Sequence, residues 1–526
     1  MPTLPASLQA IVDALTGATD VTPHHVKKIV EEANVQPEDL APWADFDHPS
    51  ADSYGRVMAY DGGSFEVMVM SWRPGDYSAM HDHGYTMWGA VQVFGAAEHA
   101  VCAQDIDKLV TLSRVRLSPG RVMAVTHDLV HQMGNPTDEQ FLTLHVYGHN
   151  DRQGGITGDA RVFDFGRQEV QTTDGGVFYS LPGDSVKTRT PSPEPDYYTR
   201  LFDMVQNARR RQRARLDTQE VVDQMTDPGH WQAFKDDLES RLDESVHVTD
   251  SRYWTLLTRL LREASLLQGE LIDGVQGPTP DTWRTYAALY DHVIGTTNSY
   301  MTFYMRKVFE AYGVDAANVS MIDVGCGTGW FEEQLTSQLG VDRERLLGVD
   351  PSPAMVQVAG GRTRVRQAGL LDMDTEFGQF DVTFCNSYQY LPHEDLDEAV
   401  GRMAAITKPG GLCVSEFITP DHIRWYPNVV FSESDQVISL RQPTLTERGG
   451  YTYQNSEIIN VSRLDGMRVT HEGVHRRFMV SPKRLREVFD KHFGDRVTAY
   501  DGKSFKVVSP ESETCPSTRY VLVANK

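Results

Sequence analysis

The sequence is poor in cysteine and has no long apolar run. Its five cysteines, Cys102, Cys326, Cys385, Cys413 and Cys515, are odd in number and widely spaced, with no Cys-x-x-Cys pair. That excludes a disulfide framework and a thiolate zinc site, and fits a reducing compartment. No run of about 18 apolar residues occurs, so no segment reads as a membrane-spanning helix. The opening MPTLPASLQAIVDALTG lacks a basic stretch ahead of an apolar core, so no secretory signal is read and a cytoplasmic location is expected. Basic residues are outnumbered, 50 to 73, for a net charge of −23. Such a surface repels phosphate backbones, which argues against nucleic acid as a partner. One basic cluster, NARRRQRAR from Asn207 to Arg215, falls in a helical pattern and reads as a solvated helix face.

Glycine and proline divide what is present into zones. Residues 1–50 read as amphipathic helix in LQAIVDAL and HHVKKIVEEA. From Tyr54 to Leu181 the pattern becomes short alternating runs: SFEVMVMSW, WGAVQVFG, RVMAVTH, FLTLHVYG. Many short strands with turn signals predict a β-barrel or double-sheet roll. The proline-bearing TRTPSPEPD, Thr188 to Asp196, is the linker candidate. Charged helical patterns follow, as in WTLLTRLLREASLLQGELI. From Trp283 helices alternate with the strands VSMIDVGCG, RLLGVD, FDVTFCNS and GLCVSEF, which predicts a parallel α/β sheet. The expected fold is therefore multidomain: an all-β domain with N-terminal helices over 1–187, a linker and helical connector over 188–280, and an α/β domain over 281–526.

Within AMHDHGYTMWGA, His81 and His83 flank one aspartate. On a strand, residues i and i+2 share a face, so both imidazoles aim at one point. A third, His131, follows the strand-like GRVMAVT in HDLVHQMGNP. Three neutral imidazoles hold Fe(II), Zn, Ni or Cu with coordination positions left open, and spacing alone does not choose the metal.

Residues from Tyr54 to Tyr147 resemble the cysteine dioxygenase family of cupins, its bacterial members above all, through YGRVMAYDGGSFEVMVMSWRPGDYSAMHDHG, LVHQMGN and TLHVY. The resemblance implies a double-stranded β-helix (jelly roll) and Fe(II) held by His81, His83 and His131. It implies Arg56 as the grip on a substrate carboxylate, with Tyr54 two residues earlier. It also implies a network on Thr143, His145 and Tyr147, where threonine replaces the family's serine. Iron with three neutral ligands leaves room for a thiolate, an amine and O₂ together. Arg56 forks onto a carboxylate, and Tyr147, oriented by His145, donates toward bound oxygen. Some family members carry a cysteine five residues after the second ligand, cross-linked to the tyrosine. Here that count falls on Trp88, so no cross-link forms there, and the indole is expected near the pocket, where it would alter the choice of thiol.

SMIDVGCGTGWFEEQL runs strand, glycine-rich turn, helix, and Gly325, Gly327 and Gly329 let backbone approach a ligand. LLGVDPS then ends a strand on Asp350, ready to accept from ribose hydroxyls. With FDVTFCNSYQYLPHED and ITKPGGLCVSEF, this set resembles class I S-adenosylmethionine-dependent methyltransferases, which are Rossmann-like. The resemblance places Asp323 at the methionine end of the cofactor, Gly325 to Gly329 at the sulfonium, Asp350 at the ribose, Asp372 toward the adenine and Asn386 beside the cofactor. Tyr388, Tyr390 and His393 are candidates on the acceptor side. His475, Arg476 and Arg477 are candidates to grip an anionic acceptor, and YTYQNSEIINVSRL with MRVTHEGVHRRFM reads as a hairpin over the pocket.

The expected function is a bifunctional enzyme of specialised sulfur metabolism. The cupin would oxidise cysteine or a derivative with O₂, and the second domain would methylate the same or a related metabolite. In one alternative the cupin runs a different iron and O₂ reaction, such as C–C or C–S cleavage or S–C bond formation. In the other it is a non-catalytic sensor of a small-molecule methyltransferase.

Overall fold

The computed structural model describes the chain except residues 1, 106, 243–251, 276–280, 295–298, 427, 433, 510 and 514–517. Cys515 and the expected boundary at 280 and 281 thus touch or fall outside the described residues. Cys102, Cys326, Cys385 and Cys413 are buried free thiols. The chain divides into two compact units, Met1–Glu239 with Glu270–Asp273, and Ser240–Gly269 with Gly274–Lys526. Among the described residues no helix is long and apolar enough to cross a membrane.

The first unit opens with helices α1 (Ala6–Leu15), α2 (Pro23–Ala33) and α3 (Pro37–Leu40), then strands β1 (Gly55–Asp61), β2 (Phe65–Trp72), β3 (Trp88–Val93), β4 (Glu98–Gln104), β5 (Lys108–Arg116), β6 (Val122–Thr126), β7 (Val130–Gly134) and β8 (Phe141–Gly148). Strands β9 (Ala160–Asp164), β10 (Glu169–Thr173), β11 (Val186–Pro191) and β12 (Glu194–Pro195) follow. They form a five-stranded sheet β1-β2-β8-β3-β6, a four-stranded sheet β12-β5-β4-β7 and a three-stranded sheet β11-β10-β9. The rolled β-domain expected from the short alternating runs is present. Side chains alternate along β8. Leu142, Leu144 and Val146 pack outward with Val67, Val69 and Trp88 against Leu8, Ile11, Val26 and Val30 of α1 and α2. Tyr147 faces the other way, into a core with Tyr54, Met68, Trp72, Val91 and Val162. The N-terminal helices cap the sheet's outer face, which leaves the inner face for chemistry.

The stretch expected as a linker is structured. Thr188 and Thr190 lie in β11, which pairs antiparallel with β10. Glu194 and Pro195 pair in parallel with Lys108 and Leu109. β11 and β12 are edge strands, where proline's missing N–H breaks no ladder. Asp196 then caps helix α4 (Tyr197–Arg213) by accepting from the Thr199 amide at 2.8 Å. α4 buries Tyr198, Leu201, Phe202 and Val205, and also Arg210 from the basic cluster, whose guanidinium lies over the Tyr179 ring. The NARRRQRAR face is therefore not wholly solvated. Helices α5 (Gln219–Met225), α6 (Trp231–Ser240) and α7 (Arg252–Ile272) complete the helical middle.

The second unit contains α8 (Tyr290–Ile294), α9 (Ser299–Tyr312), β13 (Met321–Val324), α10 (Trp330–Leu339), β14 (Leu346–Asp350), α11 (Pro353–Ala359), β15 (Arg364–Gln367), β16 (Phe380–Cys385), α12 (Leu396–Ile406) and β17 (Thr407–Ile418). After these come β18 (Val429–Phe431), β19 (Val437–Arg448), β20 (Tyr451–Ser462), β21 (Arg468–Met479), α13 (Pro482–Phe493), β22 (Val497–Asp501) and β23 (Arg519–Asn525). Its seven-stranded sheet runs β15-β14-β13-β16-β17-β23-β22. The first five are parallel, and β23 joins antiparallel. Strand order reverses beside β13, the place where open α/β sheets bind ligands beyond their carboxyl ends. A second, four-stranded antiparallel sheet, β18-β19-β20-β21, contains the expected hairpin as β20 and β21.

Candidate metal centre and cofactor pocket

His131 is carried by β7. His81 joins it through paired backbone bonds, His81 N to His131 O at 3.0 Å and the reverse at 2.9 Å. One nitrogen from each of His81, His83 and His131 lies within 4.8 Å of the others, and all three side chains are buried. Asp82, between the first two, is a clip. It accepts from Arg161 N at 2.8 Å and from Arg161 Nε at 2.5 Å, which ties the ligand loop to β9.

Hydrogen bonds assign the tautomers. His81 Nδ1 lies 2.8 Å from the Ala79 carbonyl, so it carries the proton and Nε2 holds a lone pair. His131 Nδ1 meets His99 Nε2 at 2.7 Å. His131 Nε2 and His81 Nε2 face each other at 3.2 Å, and His83 Nε2 is buried without a hydrogen-bond partner. Burial holds His81 down to about 4, and drives His83 and His131 well below the usual imidazole range. Three buried, neutral, converging nitrogen donors fit a divalent transition metal and fit little else. His99, whose nitrogen fixes the His131 ring, was not found in the sequence. Its contact depends on pairing between β4 and β7, distant in the chain.

Beside the triad runs a hydrogen-bonded chain. Trp72 Nε1 donates to Thr143 Oγ1 at 2.9 Å, Thr143 Oγ1 meets His145 Nε2 at 2.7 Å, and His145 Nδ1 meets the Tyr147 hydroxyl at 2.8 Å. The Tyr147 ring centroid is 5.3 Å from that of His83. Burial pushes His145 down to about 3 and raises Tyr147, so the ring stays neutral and the phenol stays protonated. Arg56 donates to Thr157 Oγ1 at 3.0 Å, and Thr157 is held in turn by Glu66. The guanidinium is thus positioned by a neutral hydroxyl. Tyr54 stacks on Trp72 at 4.7 Å, and its hydroxyl accepts from the Val177 amide at 3.0 Å.

Trp88 does not line this site. Its indole packs in the outer cluster beneath α1 and α2, and donates to Asn150 Oδ1 at 2.9 Å. The residue across from Tyr147 is Gly89, in register with it on β3. A Cβ on Gly89 would stand 2.5 Å from the Tyr147 ring. Trp88 and Gly89 are neighbours on β3, so their side chains point to opposite sheet faces.

In the second unit the glycine-rich turn is required by its backbone. Gly325, Gly327 and Gly329 have φ of 90°, 58° and 74°, where other residues are strained. A Cβ on Gly325 would strike Ser387 at 2.1 Å, whereas one on Gly327 would meet nothing within 4 Å, so the turn presents bare backbone to open space. Asp350 Oδ2 accepts from Gly327 N and Oδ1 from Ser352 N, both at 2.9 Å. Asp323 and Glu332 are both buried and hydrogen-bonded to each other. Burial and mutual repulsion raise Asp323, and burial raises Glu332 to about 8. Such a cradle, with a buried acidic pair behind it, fits a cationic cofactor with hydroxyl groups. Glu332 was not singled out in the sequence, where FEEQL reads as an ordinary amphipathic start.

Asn386 lies after β16. It accepts from Ser387 Oγ at 3.0 Å and is adjacent to Gly325 through that serine. Asp372 is exposed and caps the Gly369 amide at 2.7 Å, an engagement that accounts for the side chain within its own turn. Tyr388 is fully buried in the sheet's core and belongs to packing. Tyr390 is exposed. His393 hydrogen-bonds Tyr453 and lies against Tyr451, away from Tyr390 in role. Arg476 is exposed and bonded to Asn455, and Arg477 is bonded to Gln454.

The two sites define a protein with two separate kinds of enzyme chemistry. Residues 1–149 match the family described as cysteine dioxygenase type I, and residues 321–411 match the family described as methyltransferase domain. The chain is thus an enzyme that fuses a cysteine dioxygenase-type domain to a methyltransferase domain. Solved structures similar to it include an S-adenosylmethionine-dependent methyltransferase from Clostridium acetobutylicum (16% identity, 46% of this chain and 98% of that one, TM-score 0.37). Others are the sugar N-methyltransferase KedS8 from Streptoalloteichus (20%, 48% and 96%, 0.34) and DesVI from Streptomyces venezuelae (21%, 47% and 99%, 0.34).

Proposed function

We propose that the N-terminal unit oxidises cysteine or a cysteine-like thiol with O₂, and that the C-terminal unit methylates the same or a related metabolite using S-adenosylmethionine. The observation that carries the first half is the buried neutral triad of His81, His83 and His131, with Arg56 close enough to act on His145 and Tyr147 beside it. The triad would hold ferrous iron, which would supply the redox chemistry for oxidising a thiol with O₂. Arg56 binds the substrate carboxylate with charge-assisted bonds and Tyr54 backs the pocket by its stack on Trp72. His145, fixed by Thr143, holds the Tyr147 hydroxyl in place, so that its proton is available to oxygen without reorganisation. A thiol and O₂ together make a sulfinic acid, a balance that needs no further reductant.

In the second unit, S-adenosylmethionine supplies a methyl group on a cationic sulfonium. The turn from Gly325 to Gly329 would receive it by close backbone approach, with Asp350 toward the ribose hydroxyls, the Asp323 and Glu332 pair toward its positive charge, and Asn386 beside it. The chain's task is alignment and exclusion of water.

The reading is tested with full-length protein, iron, O₂, S-adenosylmethionine and a panel of small thiols, followed by an oxygen electrode and product mass. A gain of two oxygen atoms by a thiol and of a methyl group by an acceptor is expected. No oxygen uptake with any thiol of the panel overturns the dioxygenase half. A different iron and O₂ chemistry was favoured only by an indole in the pocket, and Trp88 packs elsewhere.

A further inference from the structure

The mechanism above leaves the buried cation Arg441 unused. Arg441, on β19, is 6% exposed. Its Nε and Nη2 are buried without hydrogen-bond partners. Its guanidinium lies 4.8 Å from the centroid of the Tyr426 ring, and the groups that act on it electrostatically are the phenols of Tyr426, Tyr286 and Tyr290. No carboxylate among the described residues pairs with it. An unpaired buried charge is costly unless something arrives to meet it.

Other polar groups turn toward the same place. Within the four-stranded sheet, Arg441 is opposite Ile458 on β20, and Ser456 on that strand is opposite His475 on β21. The buried Tyr286 hydroxyl hydrogen-bonds the guanidinium, the buried His475 lies close enough to feel its charge, and Ser456 Oγ is buried without a partner. Trp283 packs 4.2 Å from the His475 ring and 5.9 Å from that of Tyr390.

The segment that covers this face also touches the cofactor turn. Ser352 Oγ, next to Asp350, donates to Asp281 at 2.9 Å, and Thr328 Oγ1, within the glycine-rich turn, donates to Asp291 at 2.6 Å. The strap from Asp281 to Asp291 therefore rests at one end on the turn after β14 and at the other on the glycine-rich turn, while Trp283 packs on His475 and Tyr286 on Arg441.

We propose that Arg441 receives the carboxylate of a small methyl acceptor, with Tyr286 and His475 completing an aromatic, largely apolar pocket around it. This rests on the methyltransferase reading and names the acceptor's chemical class. A planar guanidinium matches a carboxylate with two parallel bonds, and the surrounding rings exclude the water that would weaken them. The basic residues apparent in the sequence, Arg476 and Arg477, are instead bonded to Asn455 and Gln454.

The test uses full-length protein in an Arg56→Met background, so that the N-terminal carboxylate site does not contribute. Calorimetry first measures S-adenosylhomocysteine. The saturated protein is then titrated with L-cysteine and L-cysteine sulfinate, and with cysteamine and hypotaurine, which lack the carboxylate. The carboxylates are expected to bind, and Arg441→Met to weaken them roughly 10–100-fold. Its thermal midpoint should be kept or raised, since an unpaired buried charge has been removed. Arg441→Lys, which keeps charge without the fork, should bind with intermediate strength, and it supplies the comparison if Arg441→Met does not fold. Absent S-adenosylhomocysteine binding overturns the methyltransferase reading itself. Normal S-adenosylhomocysteine binding with no preference for carboxylates, or a preference undiminished in both variants, overturns the Arg441 inference alone.

Discussion

Burial acts in opposite directions on the titratable groups of the two units. In the N-terminal unit it strips protons from imidazoles, and His81, His83 and His131 become neutral donors. In the C-terminal unit it keeps protons on Asp323 and Glu332. On the proposed function each pocket would take a cation: one would offer lone pairs outright, the other acids that ionise when the cation arrives. The lesson is that low polarity alone does not set a site's preference; the residue type being desolvated does.

Breaking each side of that contrast gives graded effects. The largest is expected from His83→Ala, which leaves two protein donors. Iron retained after reconstitution, by metal analysis, should fall to background, with oxygen uptake lost and S-adenosylhomocysteine binding by the other unit unchanged. Asp350→Ala is the mirror experiment. Calorimetry should find S-adenosylhomocysteine binding weakened by roughly 30-fold or more, as two charge-assisted bonds are lost, while iron content stays the same. His99→Leu removes only the partner of His131 Nδ1, and iron affinity should drop about 10–100-fold in competition with a chelator.

A finer pair separates the two faces of β3. In Gly89→Ala the new methyl meets the Tyr147 ring, so oxygen uptake should fall and stability drop by about 1–3 kcal/mol. Trp88→Phe loses its bond to Asn150, about 0.5–1.5 kcal/mol, with uptake per folded molecule unchanged. Equal loss of turnover in both would put the indole back at the pocket.

The smallest effect is a difference in pH slope, measured without metal or cofactor. His145 titrates at 6.5 when free and at about 3 when folded, so its favourable neutral burial is complete above about pH 6.5 and is lost as pH falls toward 3. Glu332 titrates at 4.5 when free and at about 8 when folded, so its contribution is complete below about pH 4.5 and is lost as pH rises toward 8. Hydrogen-exchange protection of β8 should therefore rise with pH over this range while that of β13 and α10 falls. Parallel slopes would contradict the contrast.

Much of this was legible because it is local. The alternation of FLTLHVYG puts Thr143, His145 and Tyr147 on one face before any pairing is known. The strand–glycine–helix order of SMIDVGCGTGW foretells the turn at Gly325 to Gly329. What escaped was non-local. His99 acts through a strand partner 32 residues away. Arg441 is unusual because, among the described residues, the register of β19, β20 and β21 leaves it without a carboxylate. Trp88 was misplaced because which face of β3 it occupies depends on the strand register with β8, which the sequence alone does not set. The prolines of TRTPSPEPD suggested a free tether because their edge-strand role depends on neighbours.

The clip between Asp82 and Arg161 bears on how this catalyst could be dissected. Every proposed iron ligand precedes residue 149, where the dioxygenase match ends, yet the aspartate between two of them is anchored to β9, and His81 itself bridges to Val162. A fragment cut at that boundary would contain all the donors and lose the brace that aims them. Any attempt to transplant the oxidising half must carry the downstream strands as well.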